Sequence, residues 1–464
     1  MNRKLLAAAV ASIFGLAGCV TDSSTTETTP KNVIFFLGDG MGLPVMTAAR
    51  IYAVGEDGQL TMDALPETGF VRTFSNDSQV TDSAPSMSAY MTGVKMNNEV
   101  LSMTPDTIYQ GTTGKPVTTF LELAEAAGWS TGVVSTTRIT HATPAATYAH
   151  INDRDKENEI AAMAMPGGAG YNTALGNGLE VIFGGGCANF YPTTATCAGK
   201  AGKRTDGRNL VNEFKAKGYT VAESRAAFDA IDPAKTGQAV ALFTNGHMSY
   251  DLDRSASVEP SLAEMTTKAM DILSKNSKGY FLMVEGGRID HALHETNAAR
   301  ALQDTVAFDN AIKAALDKAR LTDPTLKNTL IVVTADHDHT MILNGYAKRT
   351  GATTASSPGV LGLAKNYTTG ANLVDADGMP YTILGFGNGE NRVQGARSSV
   401  AALTDTVSGG KDYHQEAAIR TSAGSETHGG TDVAIMAQGM GSDQFYGFMD
   451  NTKVFSLLRK ASGL

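Results

Sequence analysis

Basic runs are missing from this sequence. Its 38 Lys and Arg are outnumbered by 47 Asp and Glu, giving a formal charge of −9. The Lys and Arg form no long run, which argues against nucleic acid as the main partner. Low-complexity tracts are missing too: 42% of the 464 residues are hydrophobic, enough for a large buried core, so a disordered chain is excluded. No internal repeat is present, and at about 150 residues per domain the length suits three domains or one large α/β enzyme with insertions. The carboxylate excess suits a protein that holds cations.

Cysteine is scarce, three in all. Arg3 and Lys4 precede an apolar stretch over residues 5–16, and small residues then lead to Cys19; this reads as an export signal, too short to span a bilayer. Leu16-Ala17-Gly18-Cys19 resembles the bacterial lipobox. The resemblance implies a signal peptide over 1–18, a lipid on Cys19 and a polar tether over 19–30. An exported protein would then be held on the outer membrane, or facing the periplasm or surface, of a bacterium. The alternative is an ordinary secretory signal with an incidental cysteine. Cys187 and Cys197 lie ten positions apart in a Gly/Thr/Ala-rich loop, without CxxC spacing or a nearby His. They are expected to form a disulfide in an exported protein, the alternative being two buried free thiols.

Short apolar runs bounded by turn residues recur at 33–37, 132–135, 181–183, 240–243, 280–284, 330–333 and 433–437. They read as buried, mostly parallel strands. Between them lie helical patterns: a capping box at Ser261 and Glu264 opening one helix, and a second helix expected over about 292–319. Alternation of the two predicts an α/β fold, a doubly wound, mostly parallel central sheet with helices on both faces. Residues 343–425 are rich in Gly, Ser, Thr and Ala, with a strand expected at 381–386, and are too long for a plain loop. They are expected to be an inserted subdomain.

Ligands of such sheets bind beyond the carboxyl ends of the strands. Asp39, Glu285, Asp336 and His337 stand at or just after strand ends, and His141 and Thr143 follow another. Asp290 and His294, at i and i+4, put a carboxylate and an imidazole on one helix face. Asp, Glu and His together suit zinc and magnesium, and so many carboxylates in one cleft need cations to offset their repulsion. Ser83 is expected to open a helix, where free N–H groups favour an oxyanion, and metal coordination is one of the few ways to ionise a serine hydroxyl.

Asp39 in GDGMG, Asp82-Ser83-Ala84, the Glu285/Asp290/His294 segment, TADH at 334–337 and Glu426-Thr-His428-Gly-Gly resemble, in order, the motifs of alkaline phosphatases. The resemblance runs from about residue 31 to 460. It implies an alkaline phosphatase domain over 31–464, with residues 343–425 as a crown-type insertion, and hydrolysis of small phosphomonoesters through a phosphoserine on Ser83. It implies two zinc ions, one on Asp290, His294 and His428 and one on Asp39, Asp336 and His337 with Ser83. It also implies one magnesium on Asp39, Thr143 and Glu285. Arg154, eleven residues past Thr143, is implied as the phosphate clamp, and a homodimer as the working form.

Two positions where other members carry Asp and Lys are His141 and His291 here. His141 beside the third site should loosen magnesium and make the optimum more alkaline; His291 is expected to reach phosphate through water. Thr244 stands where the calcium site of some animal relatives needs an acid, so that site is not implied. Sulfatases of the same fold use a (Cys/Ser)-x-Pro-x-Arg motif, and Met87 stands in place of its Arg. The remaining alternatives are a phosphodiesterase or phosphonate hydrolase of the same superfamily, and a phosphate- or metal-binding lipoprotein without turnover.

Overall fold

The computed structural model describes residues 32–464, so the expected signal peptide, Cys19 and the expected tether lie outside the described residues. Each of the seven apolar runs forms a strand, and three further strands join them. In chain order they are β1 Asn32–Gly38, β2 Glu67–Arg72, β3 Ser130–Arg138, β4 Val181–Gly185, β5 Thr220–Ala222, β6 Ala239–Leu242, β7 Tyr280–Gly286, β8 Thr329–Thr334, β9 Val433–Gly439 and β10 Gly447–Asp450. Their order in the sheet is β10-β2-β9-β8-β1-β7-β3-β4-β6-β5. Of these ten, β9 alone runs antiparallel to its neighbours. The fold is thus the mostly parallel α/β sheet that the alternating pattern predicts.

Burial on both faces explains the near-continuous apolar strands. In β1, Val33, Ile34, Phe35, Phe36 and Leu37 are all fully buried. Register then places the chemistry: Leu37 is level with Thr334 on one side and with Glu285 on the other. The acids that follow these strands therefore emerge at one edge.

The helices that matter for the site are α1 Leu43–Val54, α2 Ser83–Thr92, α3 Leu262–Leu273, α4 Arg288–His294 and α5 Ala298–Thr322. The Ser261–Glu264 capping box opens α3 as expected. The single helix expected over about 292–319 is instead α4 and α5. Thr296 takes a φ of 51°, and the Asn297 side chain accepts from the Arg300 N–H at 3.0 Å, so a fresh cap starts a new helix there.

Residues 343–425 leave the main sheet. Met341–Leu343, Leu384–Gly389 and Ala417–Arg420 form a separate three-stranded sheet. Its middle strand begins at Leu384 rather than at 381, because pairing starts where Leu343 meets Leu384. Cys187 and Cys197 are joined in a disulfide.

Candidate active site

Asp39 follows β1, Glu285 is the next-to-last residue of β7, Asp336 and His337 follow β8, and His141 and Thr143 follow β3. Asp290 and His294 are on α4, and Ser83 is the first residue of α2. His428 comes from a short bridge in which His428–Gly429 pairs with Asp338–His339. These segments, scattered over nearly the whole chain, converge at the carboxyl edge of the sheet.

Around the serine, Ser83 Oγ lies 3.4 Å from Asp39 Oδ1 and 3.3 Å from His337 Nε2. His337 Nε2 is in turn 3.4 Å from Asp39 Oδ1 and 3.3 Å from Asp336 Oδ2. Beside this group, His294 Nε2 lies 3.2 Å from Asp290 Oδ1 and 3.2 Å from His428 Nε2. His428 Nε2 is 3.5 Å from the same Asp290 oxygen. On the other flank, Asp39, His141 and Glu285 each offer a ligand atom within 4.8 Å of the others. Thr143 Oγ1 is 3.5 Å from Asp39 Oδ2.

The three imidazoles share one device. His428 Nδ1 is 2.8 Å from Thr81 O, His337 Nδ1 is 3.2 Å from Asp338 O, and His294 Nδ1 meets Glu426 O. An Nδ1–H donated to a carbonyl fixes the tautomer and leaves the Nε2 lone pair aimed into the cluster. Lone pairs facing each other and a carboxylate at such distances call for a cation between them.

Arg154 is held at the same edge. Its Nη1 donates to Asp82 Oδ1 at 3.0 Å, Asp82 being the N-cap of α2, and its Nη2 is 3.1 Å from His141 Nε2. His291 stands on the adjoining wall, its ring 4.1 Å from His247 and 5.3 Å from His141. Arg288 Nη1 lies 3.0 Å from its Nδ1.

Charge crowding is severe without a cation. Burial first, then Asp336, Asp290 and Glu285, push Asp39 well above the usual carboxylate range. Burial raises Glu285 to about 7. Asp290 goes the other way: despite burial, His294 and His339 hold it well below its ordinary value. Burial lowers His337 to about 3 and His291 to about 3, so both imidazoles are neutral at physiological pH.

The sequence reading missed His339 and the part played by Glu426. His339 Nε2 lies 2.8 Å from Asp290 Oδ1, and its Nδ1 faces Glu426. A signal was present: His337 and His339 are two apart just after a strand, the spacing that puts side chains on one face of extended chain. Gly40 makes room for His339. It has a φ of 68°, and a Cβ there would lie 2.5 Å from His339 Cδ2, so a side chain would be both strained and blocked.

Comparison with known proteins places the chain in a family. A family model described as alkaline phosphatase matches residues 30–464. The alkaline phosphatase of Gadus morhua is 38% identical over 437 residues, spanning 88% of this chain and 87% of that protein. Among solved structures, Thermus thermophilus alkaline phosphatase has a TM-score of 0.67 at 26% identity, covering 97% of this chain and 96% of that one. A histidine-to-glutamate variant of TAB5 alkaline phosphatase, solved with Mg bound in its M3 site, has a TM-score of 0.66 at 25% identity, covering 94% and 98%. The chain described here belongs to the alkaline phosphatase family.

Proposed function

We propose that this chain hydrolyses phosphate monoesters through a phosphoserine on Ser83, with two zinc ions and one magnesium. The observation that carries the reading is a buried serine hydroxyl, 2% exposed, at the N-terminus of α2. It sits between His337 and Asp39, with Arg154 bound to the residue just before it.

The donors fit the metals. Asp336 Oδ2, Glu285 Oε1 and His141 Nδ1 are buried with no hydrogen-bond partner, a costly state unless a cation fills it. Asp290, His294 and His428 would hold the first zinc, a three-ligand set that leaves a position open. Asp39, Asp336 and His337 would hold the second, beside Ser83. Asp39, Thr143 and Glu285 would hold magnesium, with His141 next to it. When bound, these ions lower the pKa of the serine hydroxyl and neutralise charge on the phosphoryl and leaving oxygens.

The Ser83 hydroxyl loses its proton to solvent, Oγ attacks phosphorus, the bond to the leaving oxygen breaks, and the alcohol departs with a proton taken back from water. Water then cleaves the phosphoserine, releasing inorganic phosphate and restoring the hydroxyl. Arg154 holds two non-bridging oxygens in a bidentate pair, and the open N–H groups of α2 add positive potential at the same spot. His291 reaches phosphate through water. Positioning and charge neutralisation supply most of the rate, as in phosphoryl transfer generally.

His141, standing beside the third site in place of a carboxylate, loosens its hold on magnesium. The TAB5 variant, described as holding Mg in its M3 site after a histidine-to-glutamate change, fits that view. Among the described residues no helix is long and apolar enough to cross a membrane. The lipobox-like run Leu16-Ala17-Gly18-Cys19 supports membrane attachment through a lipid on Cys19 of an exported protein. We take the working form to be a homodimer with residues 343–425 at its interface; Tyr346 and Tyr367, 86% and 70% exposed, lie in that insertion.

The test is release of phosphate from p-nitrophenyl phosphate by the purified metal-loaded protein, alongside Ser83→Ala and chelator-treated protein. Phosphoserine trapped at low pH should map to Ser83 by mass spectrometry. Turnover that survives in Ser83→Ala would sink the mechanism.

A further inference from the structure

Glu99 stands out beside Arg154. Its φ is 68°, a left-handed conformation that residues other than glycine seldom adopt. Two backbone contacts hold it there: its N–H donates to Asp82 Oδ2, and its carbonyl accepts from the Arg154 N–H at 3.0 Å. The turn is pinned from behind as well, where the Asn98 N–H donates to Asp77 Oδ1 at 2.9 Å and the Val100 N–H to Asn97 O at 3.3 Å. The turn is thus tied both to the residue before the nucleophile and to the arginine itself.

This frame aims the Glu99 carboxylate at one part of Arg154. Nη1 is occupied by Asp82 and Nη2 by His141. Nε is 3.9 Å from Glu99 Oε2, too far for a hydrogen bond but close enough for attraction. Glu99 is also the open member of the group, its side chain 37% exposed against 14% for Arg154 and 13% for Asp82. A partly exposed pair of this kind adds little to stability, so fold stability does not account for a strained residue that a glycine would relax. Strain of this sort gathers where a site uses it.

We infer that Glu99 competes with the phosphate oxyanion for Arg154 and so sets how tightly inorganic phosphate is held. The inference rests on the proposed role of Arg154 as phosphate clamp. Asp82 and Glu99 are the carboxylates that act most strongly on the Arg154 charge. A carboxylate at position 99 weakens the product complex and lets phosphate leave sooner.

The experiment measures binding of inorganic phosphate to the full, metal-loaded chain by calorimetry and by the phosphate-induced rise in Tm, neither of which needs turnover. Glu99→Gln should bind phosphate about three- to fivefold tighter, the factor a partly exposed pair can supply. The KM for p-nitrophenyl phosphate should fall by a similar factor, and kcat should fall as release slows. Glu99→Asp should stay near wild type. The gap between wild type and Glu99→Gln should close as salt rises, because the pair is screened. Glu99→Gly, which relieves the backbone and removes the charge, should reproduce the tightening if Glu99→Gln folds poorly. Unchanged or weaker phosphate binding in both neutral variants, or a gap insensitive to salt, would overturn the inference. A wild-type protein that fails to turn over the ester would instead overturn the phosphatase reading beneath it.

Discussion

His339 holds Asp290 in place: its Nε2 lies 2.8 Å from Asp290 Oδ1, while its Nδ1 faces the fully buried carboxylate of Glu426. Glu426 reaches further. Its Oε1 accepts from the Thr340 N–H at 2.8 Å, and its backbone oxygen meets His294 Nδ1. One residue thus steadies two of the three ligands assigned to the first zinc, and the third, His428, is its near neighbour in the chain. Burial works against a charged His339, but Glu426 and Asp290 prevail and raise its pKa to about 10.

Glu426→Gln and His339→Ala should therefore loosen the first zinc by about 10–100-fold, the usual cost of losing a ligand's supporting partner. Competition with a chromogenic chelator, with total metal counted by mass spectrometry, reads this directly. Equal loss from all three sites would point to general damage instead.

His141→Asp should tighten magnesium by roughly tenfold, since a carboxylate oxygen suits a hard cation better than imidazole does. Retention of magnesium through dialysis and the magnesium concentration needed for full activity both report it. The new carboxylate would also draw on Arg154, which now contacts His141 at 3.1 Å, so the KM for the ester should rise. Tight magnesium retention by the wild-type protein would count against the whole account of that site.

Arg154→Lys should lower kcat/KM by about 10–100-fold with zinc content unchanged. Lysine keeps the charge but cannot form the two-point contact with a phosphoryl group. Steady-state kinetics with metal analysis separates loss of the clamp from loss of the metals.

A pH effect should appear far from the site. Burial raises Glu125 to about 8 and Glu180 to about 7. In the unfolded chain both would titrate near pH 4.3. Between those values the folded state holds protons that the unfolded state has lost, so their contribution is full below the lower pKa and disappears as pH rises through 7 to 8. Glu125→Gln should leave stability unchanged near pH 4 and raise it by roughly 1–3 kcal/mol at pH 9. Urea unfolding of the protein across that range checks the sign.

Much of the sheet and most of the edge chemistry could be read from residue order. A strand such as residues 32–38 announces itself by unbroken apolar character, and an acid or histidine directly after it points to the strand's carboxyl end. Strands β2, β5 and β10 escaped notice because β5 and β10 are the sheet's edge strands and β2 lies next to one, so all three are half exposed and lack that run. The break at Thr296 was hidden because Glu-Thr-Asn suits helix and cap alike until packing decides. His339 and Glu426 lie 87 residues apart, and no spacing rule links a buried carboxylate to an imidazole at that distance. Glu99 is harder still, because its meaning lies in a backbone angle.

The strand that leads the described chain is the middle of the sheet. β1 pairs with β7 from Tyr280 and with β8 from Thr329, so during synthesis the segment NVIFFLG leaves the ribosome some 250 residues before either partner exists. Until then it is a bare apolar strand with two open edges, the kind of segment that aggregates unless a chaperone shields it. His428 follows later again. Folding cannot proceed outward from the N-terminus, and the residues proposed to hold the first zinc, Asp290, His294 and His428, cannot come together until almost the entire chain has been made. Under the proposed assignment, loading of that zinc would be a late event, set by the metal available where folding finishes.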